Sequence, residues 1–211
     1  MEDLKREKNA SQQEDDVYYG VGSFLWEVVK VFFWALLIIV PIRVFLFQPF
    51  FVQGASMEPN FHDGDYLIVN EFGYKDTEIS LAGTSLLAVH PFRDLERGDI
   101  VVFQYPRNPK QYFIKRIIGL PGETVMVKEG KVFVTPKEGG EAKMLDEQAY
   151  VDEKVNTAGN VSKVLAQDEY FVMGDNRPQS HDSRAWGPVT KDKIVGKVLL
   201  RAWPLGKARV Y

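Results

Sequence analysis

An all-β or β-dominated (α-minor) fold, with one apolar N-terminal helix ahead of a mixed β-sheet or β-barrel-like domain, is predicted by three observations. Apolar sequence of helical length is confined to residues 24–47, "FLWEVVKVFFWALLIIVPIRVFLF". Beyond it, short runs rich in β-branched and aromatic residues recur between turn signals: "DYLIVNEF", "DIVVFQY", "YFIKRIIG", "TVMVKEGKVFV", "EYFVMGD" and "KIVGKVLLRAW". Two irregular stretches break that rhythm, residues 73–96 and 136–167, the second rich in Lys, Glu, Asp and Gly. Both read as insertions, and the second as a smaller inserted subdomain. With 211 residues, 45% of them hydrophobic, the chain can bury one core of ordinary size with a small appendage.

Residues 1–23 are mostly polar and read as a tail. The apolar segment that follows is interrupted by Glu27, Lys30, Pro41 and Arg43, and its unbroken run, Val31 to Val40, is shorter than the roughly 20 residues that span a bilayer. Spanning still works if Glu27 and Lys30 lie at the inner headgroups and Arg43 snorkels outward. A buried core helix and a cleaved signal peptide compete with this reading. The second conflicts with the long polar lead-in. Lys5, Arg6, Lys8 and Lys30 precede the segment and Arg43 alone closely follows it, so the N-terminus is expected in the cytoplasm and residues 48–211 outside.

The formal net charge is −3, without a basic stripe, which argues against nucleic acid as a partner. Zero cysteines exclude a disulfide scaffold and any thiolate nucleophile or metal ligand. Within "VMVKEGKVFV", Glu129-Gly130 separates two β-rich arms and predicts a tight hairpin, because glycine supplies positive φ.

"QGASMEP", residues 53–59, sets Ser56 soon after the apolar segment. Gly54 permits close approach of another chain, and Pro59 biases Glu58 away from helix, so Ser56 is expected in an extended turn. A serine there is loop filler unless a base takes its proton. Histidine is one choice, from His62, His90 or His181, with Asp175 able to orient His181. Lysine is the other. In "QYFIKRIIG" alternation puts Lys115 on the face of Phe113 and Ile117, where burial favours the neutral amine, although it can also snorkel from a half-exposed strand. Lowering a lysine pKa by about two units costs about 3 kcal/mol, within reach of a packed apolar wall. The neighbouring Arg116 stays protonated and cannot serve. Finally, "GDNRPQSHDSRAWG", residues 174–187, is a polar loop between apolar runs in which Asp175 to Arg177 and Asp182 to Arg184 are candidate stiffening pairs.

Four motifs in order resemble the bacterial type I signal peptidases, membrane-anchored serine endopeptidases with a Ser-Lys dyad: "SMEPNF" at Ser56, "GDYLIV" at Gly64, "RGDIVVF" leading into "YFIKRIIGLPGE", and "GDNRPQSHDSR" at Gly174. The resemblance implies Ser56 as nucleophile and Lys115 as general base. It implies that Ser180 hydrogen-bonds the lysine amine, that Asp182 and Arg184 support that loop, and that Asp175 pairs with Arg116. Pockets for small residues at the first and third positions before the cut would be lined by Phe50, Val52, Met57, Phe61, Phe113 and Ile114. Gly54 stands where some members carry a serine that helps the oxyanion hole, leaving backbone N–H groups, chiefly that of Ser56. Asn60, Phe61 and Glu123 depart from the family's usual threonine, leucine and aspartate. No metal or organic cofactor is implied. The implied partners are signal peptides of exported preproteins and the lipid bilayer, with the work done beside the secretion translocon of a bacterial cell (inner) membrane. The apolar stretch around residues 43–52 would hold the site against the bilayer. Two other readings stand beside this one: a self-cleaving Ser-Lys protease of the SOS-repressor type, and a non-catalytic membrane-tethered β module that binds peptides by strand addition.

Overall fold

The computed structural model describes residues 20–41, 47–74, 77–81, 84–89 and 93–211. Two compact units divide the chain, at residues 1–42 and 43–211.

The first unit is a single helix, α1 (Val21–Pro41). It begins a little before the apolar segment and ends at Pro41. Phe47, which the apolar run assigns to the anchor, instead opens the first strand. Lys30 pairs with Glu27 at 2.5 Å, so the two charges in the helix neutralise each other one turn apart. Phe24, Leu25, Trp26, Phe32, Phe33 and Trp34 are all exposed along α1. A helix apolar all round, 20 residues of it long enough to cross a membrane, is stable when lipid covers it.

The second unit is built on antiparallel ladders throughout its described strands. Its main sheet runs β1 (Phe47–Phe51), β2 (Tyr66–Asn70), β13 (Ile194–Trp203), β5 (Ile100–Tyr105), β6 (Asn108–Gly119), β11 (Glu169–Met173) and β12 (Val189–Thr190), with β14 (Arg209–Val210) beside β13. Five of these match the β-rich runs of the sequence. Strand β1 does not: "FQPFF" has no period-two pattern and contains Pro49, which is tolerated because β1 is an edge strand. β1 and β6 sit four places apart in the strand order, yet both line one cleft. The sheet therefore coils towards closure, barrel-like, with a gap between these two strands.

The inserted subdomain is larger than the polar stretch 136–167. A second sheet, in the order β10 (Val161–Val164), β7 (Thr124–Lys128), β8 (Lys131–Thr135) and β9 (Lys143–Met144), takes in the β-rich run before that stretch. The β7–β8 turn is the expected hairpin, with Glu129 at φ 51° and Gly130 at φ 78°. The other irregular stretch contains a separate hairpin, β3 (Thr77–Leu81) with β4 (Thr84–Val89). The inserted sheet shares its core with the main one, because Ile118 of β6 and Phe171 and Met173 of β11 pack with Val125, Val127, Val132, Val134 and Leu165. A second cluster, including Val52, Met57, Phe61, Leu67 and Val69, lies beneath the loop after β1.

Candidate active site

The turn of residues 54–60 carries Ser56 from β1 back towards β2. Gly54 starts it at φ +84°, and its N–H donates to Asp63 Oδ1 at 2.7 Å. Met57 and Phe61 anchor it by inserting fully into the core beneath. Hydrogen bonds from Glu58 N to Ala55 O and from Phe61 N to Met57 O close it. Ser56 is left half-buried at the cleft floor.

Lys115 arrives from β6, opposite Val101 of β5. It is only 4% exposed, and its Nζ lies 2.6 Å from Ser56 Oγ and 2.8 Å from the Ile114 carbonyl, with the Phe113 ring 5.6 Å away. Burial lowers its pKa from 10.5 to about 8, although the charges of Asp182 and Asp175 pull the other way. A neutral amine keeps N–H groups for the Ile114 carbonyl and one lone pair for the Ser56 proton.

Both nearby carboxylates are occupied by arginines. Asp175 receives Arg116 Nε and Nη2 at 2.8 and 2.7 Å, and Arg116 also donates to the Gly98 carbonyl. Asp182 receives Arg184 Nε and Nη2, each at 2.8 Å, and caps the short helix α2 (Ser183–Trp186). Burial alone would raise the Asp182 carboxyl, but the Arg184 fork, with help from Ser180 and the Gly174 N–H, holds it below its ordinary pKa. A planar fork satisfies both carboxylate oxygens, which leaves neither free to seize the lysine.

Loop and turn meet at Gly174 and Asn176. Asn176 donates its backbone N–H to the Ser56 carbonyl at 3.1 Å and its amide to the Ala55 carbonyl at 3.0 Å. A Cβ on Gly174 would lie 2.3 Å from the Ser56 carbonyl and 2.3 Å from Ser180 Oγ, so only glycine allows this approach.

Several residues fall elsewhere than the sequence suggests. Ser180 Oγ accepts from the Gly174 N–H at 3.1 Å, whereas the hydrogen-bond partners of the Lys115 amine are Ser56 and the Ile114 carbonyl. Asp175 and Arg177 do not pair through their side chains; Arg177 turns to Glu147 of the inserted subdomain and Asp175 to Arg116. Phe50, Val52, Gly54, Phe113 and Ile114 line the cleft, of about 750 Å³, but Met57 and Phe61 lie behind its wall in the core. His181 stands at the cleft with Nε2 3.3 Å from the Tyr105 hydroxyl, and the Asp175 that could have oriented it is held by Arg116. His90 lies outside the described residues. Glu123 takes Arg97, at 2.6 Å, away from the dyad. Among the described residues no three His, Asp or Glu side chains converge as metal ligands.

Residues 25–203 match the family described as "Signal peptidase, peptidase S26". The chain belongs to this signal peptidase family. It is 35% identical to a probable signal peptidase I-2 of Synechocystis sp., over 85% of this chain and 73% of that one. It is 33% identical to signal peptidase I of Pseudomonas aeruginosa, over 85% and 74% of the two chains, and 35% identical to signal peptidase I P of Bacillus subtilis subsp. natto, over 86% and 90%. The function is thus that of a type I signal peptidase, and the exposed apolar helix fits a membrane-anchored peptidase. Asn60, Gly174, Asn176 and Glu147 are the site residues missed in the sequence reading; only the departure at Asn60 offered a signal.

Burying Lys115 carries a stability cost with a definite sign. Its folded pKa lies below its unfolded value, so stability rises with pH between about 8 and 10.5, and below that window the protein bears about 3 kcal/mol of unfavourable free energy. Lys115→Met is expected to raise the unfolding free energy of the full chain in detergent at pH 7 by about 1–3 kcal/mol, measured by urea titration. A loss of that size would contradict the desolvated amine.

Proposed function

We propose that this chain is a Ser-Lys peptidase that removes signal peptides from exported preproteins after small residues. The observation that carries this reading is the 2.6 Å approach of a buried lysine amine to a serine hydroxyl on the floor of a cleft. Ser56 is the nucleophile and Lys115 the general base. Lys115 accepts the hydroxyl proton as Ser56 Oγ attacks the peptide carbonyl, then delivers it to the departing amine nitrogen. Water enters, gives a proton to the amine and hydrolyses the ester, which regenerates both groups. Charge on the tetrahedral oxygen is met by backbone N–H groups, chiefly that of Ser56, held in place by Asn176 and the turn.

The cleft explains how an extended peptide is held. β1 is an edge strand, and β11 joins β6 only from Arg116 onward, so residues 108–115 of β6 also offer an open edge. A substrate strand fits between them and completes the coiled sheet by backbone hydrogen bonds. On such a strand the first and third side chains before the cut point one way and the second points away. Phe50, Val52, Phe113 and Ile114 wall the cleft, and Met57 and Phe61 pack behind Val52 so that this wall cannot recede. Small side chains fit against it. The apolar helix α1, long enough to cross a membrane, favours this reading over a DNA-linked self-cleaving protease, and the approach of Lys115 to Ser56 favours it over a purely binding module. Lys5, Arg6 and Lys8 before α1, against Arg43 alone soon after it, support a cytoplasmic N-terminus and an extracytoplasmic catalytic unit, placed beside the translocon to meet its substrates; Lys30, lying within α1, does not add to that count.

Purified full chain in detergent should cleave a preprotein at an Ala-x-Ala site and lose that ability with Ser56→Ala. Its kcat/KM should climb about tenfold per pH unit and level off above about 8, because only the neutral amine works. A profile flat between pH 6 and 9 would remove Lys115 from the role of base. Replacing alanine by leucine immediately before the cut should lower kcat/KM by about ten- to a hundredfold, the equivalent of about 1–3 kcal/mol of overpacking, while a change at the second position should matter little. Equal processing of both substrates would refute the pocket assignment. Protease added outside spheroplasts should digest the chain beyond residue 48; its protection would reverse the orientation.

A further inference from the structure

Among the described residues, Arg177 is the largest side chain that is almost completely buried, at 1% exposed, and neither the dyad nor the two flanking carboxylates uses it. Its partners come mostly from the inserted subdomain. Nη2 and Nη1 reach Glu147 Oε1 and Oε2 at 2.5 and 2.8 Å, and Nη1 also reaches Thr157 Oγ1 at 2.8 Å. On the other side, Arg177 Nε donates to the Gly174 carbonyl at 3.1 Å, and the Arg177 carbonyl accepts from Arg184 at 2.8 Å. Gly174 and Asn176 are the two residues that meet the Ser56 carbonyl. A continuous chain of contacts therefore runs from Glu147 through Arg177 to the peptide that carries the nucleophile.

One turn after Glu147 the same segment touches the other side of the centre. The Tyr150 ring covers the Arg116 guanidinium at 4.3 Å, and the Tyr150 carbonyl accepts from Asn60 Nδ2, which also donates to Asp175, each at 2.9 Å. Tyr150 OH donates to Glu147 Oε1 at 3.2 Å, so the two contacts are linked. Burial and the Glu147 charge push the phenol pKa up, which keeps that donor in place.

We propose that the segment around Glu147 and Tyr150 makes the inserted subdomain a brace for the catalytic loop, with Glu147 a positioning residue that acts through Arg177 on Gly174, Asn176 and Ser56. The proposal rests on the Ser-Lys reading above. A buried guanidinium stripped of its carboxylate cannot stay where it is at low cost. Its relief is to turn towards water, and residues 174–177 must move with it. Substrate contacts along β1 and β6 are untouched by that movement, so the turnover step suffers while binding does not.

The test compares Glu147→Gln with Val132→Ala in the full chain in detergent, on a peptide spanning an Ala-x-Ala site. Val132 lies in the core of the same subdomain, 1% exposed, without a part in the brace. Glu147→Gln is expected to lower kcat by tenfold or more per folded molecule with KM within about twofold, and Glu147→Asp to recover part of the loss. Val132→Ala is expected to lower Tm at least as far and to leave kcat within about twofold. Wild-type kcat in folded Glu147→Gln, or an equal loss of kcat in Val132→Ala at matched Tm, overturns the brace. Failure of the wild-type chain to cleave the peptide at all would instead fall on the Ser-Lys reading itself.

Discussion

Everything at this site depends on keeping one lysine amine dry and out of the grip of a carboxylate. A lysine beside a free aspartate would be protonated and useless as a base at neutral pH, because the pair stabilises the charged form. Asp175 and Asp182 are both close enough to raise the Lys115 pKa, yet desolvation outweighs them. It can do so because each is already forked to an arginine, Arg116 and Arg184 respectively. Arginine suits this work, since it never gives up its proton and offers two parallel donors. The charges are needed to stiffen the loop, and pairing them locally limits their effect on the amine.

The fold serves that constraint at short range. Lys115 sits on β6 between Val101 across the ladder and the Phe113 ring, while Ser56 rides on a turn pinned by buried Met57 and Phe61. Approach within hydrogen-bond distance requires that the 174–187 loop press against the Ser56 carbonyl, which Gly174 alone permits. The same arrangement leaves β1 and the first part of β6 unpaired towards the cleft. Open strand edges are a hazard on most proteins. In the proposed mechanism they form the seat for an extended substrate.

Local pattern carried much of this and distance hid the rest. Alternation in "QYFIKRIIG" put Lys115 on an inward face, and Glu129-Gly130 announced its hairpin, because both depend on neighbours in sequence. β1 was hidden, since "FQPFF" continues the apolar run of the anchor and contains a proline that only an edge strand accepts. The polar stretch at 136–167 marked the inserted subdomain but understated it, because β7 and β8 look like ordinary strands until their pairing with β10 and β9 is known. Spacing suggested Asp175 with Arg177. Long-range partners won instead, Arg116 for the one and Glu147 for the other, positions 59 and 30 residues apart that composition does not connect. The motif resemblance supplied the Asp175–Arg116 pair and flagged Asn60 only as a departure, and it gave no hint of Asn176 or Glu147.

The protonation state of Lys115 is open to direct observation. The full chain, labelled with 13C at lysine Cε and held in detergent, can be titrated by NMR, with the Lys115 resonance assigned by its absence in Lys115→Arg. A midpoint near 8, well separated from the other lysines, is the expected result for a desolvated base. Titration of that resonance with the bulk of the lysines near 10.5 would show an amine that burial does not perturb and contradict a desolvated lysine base for Ser56.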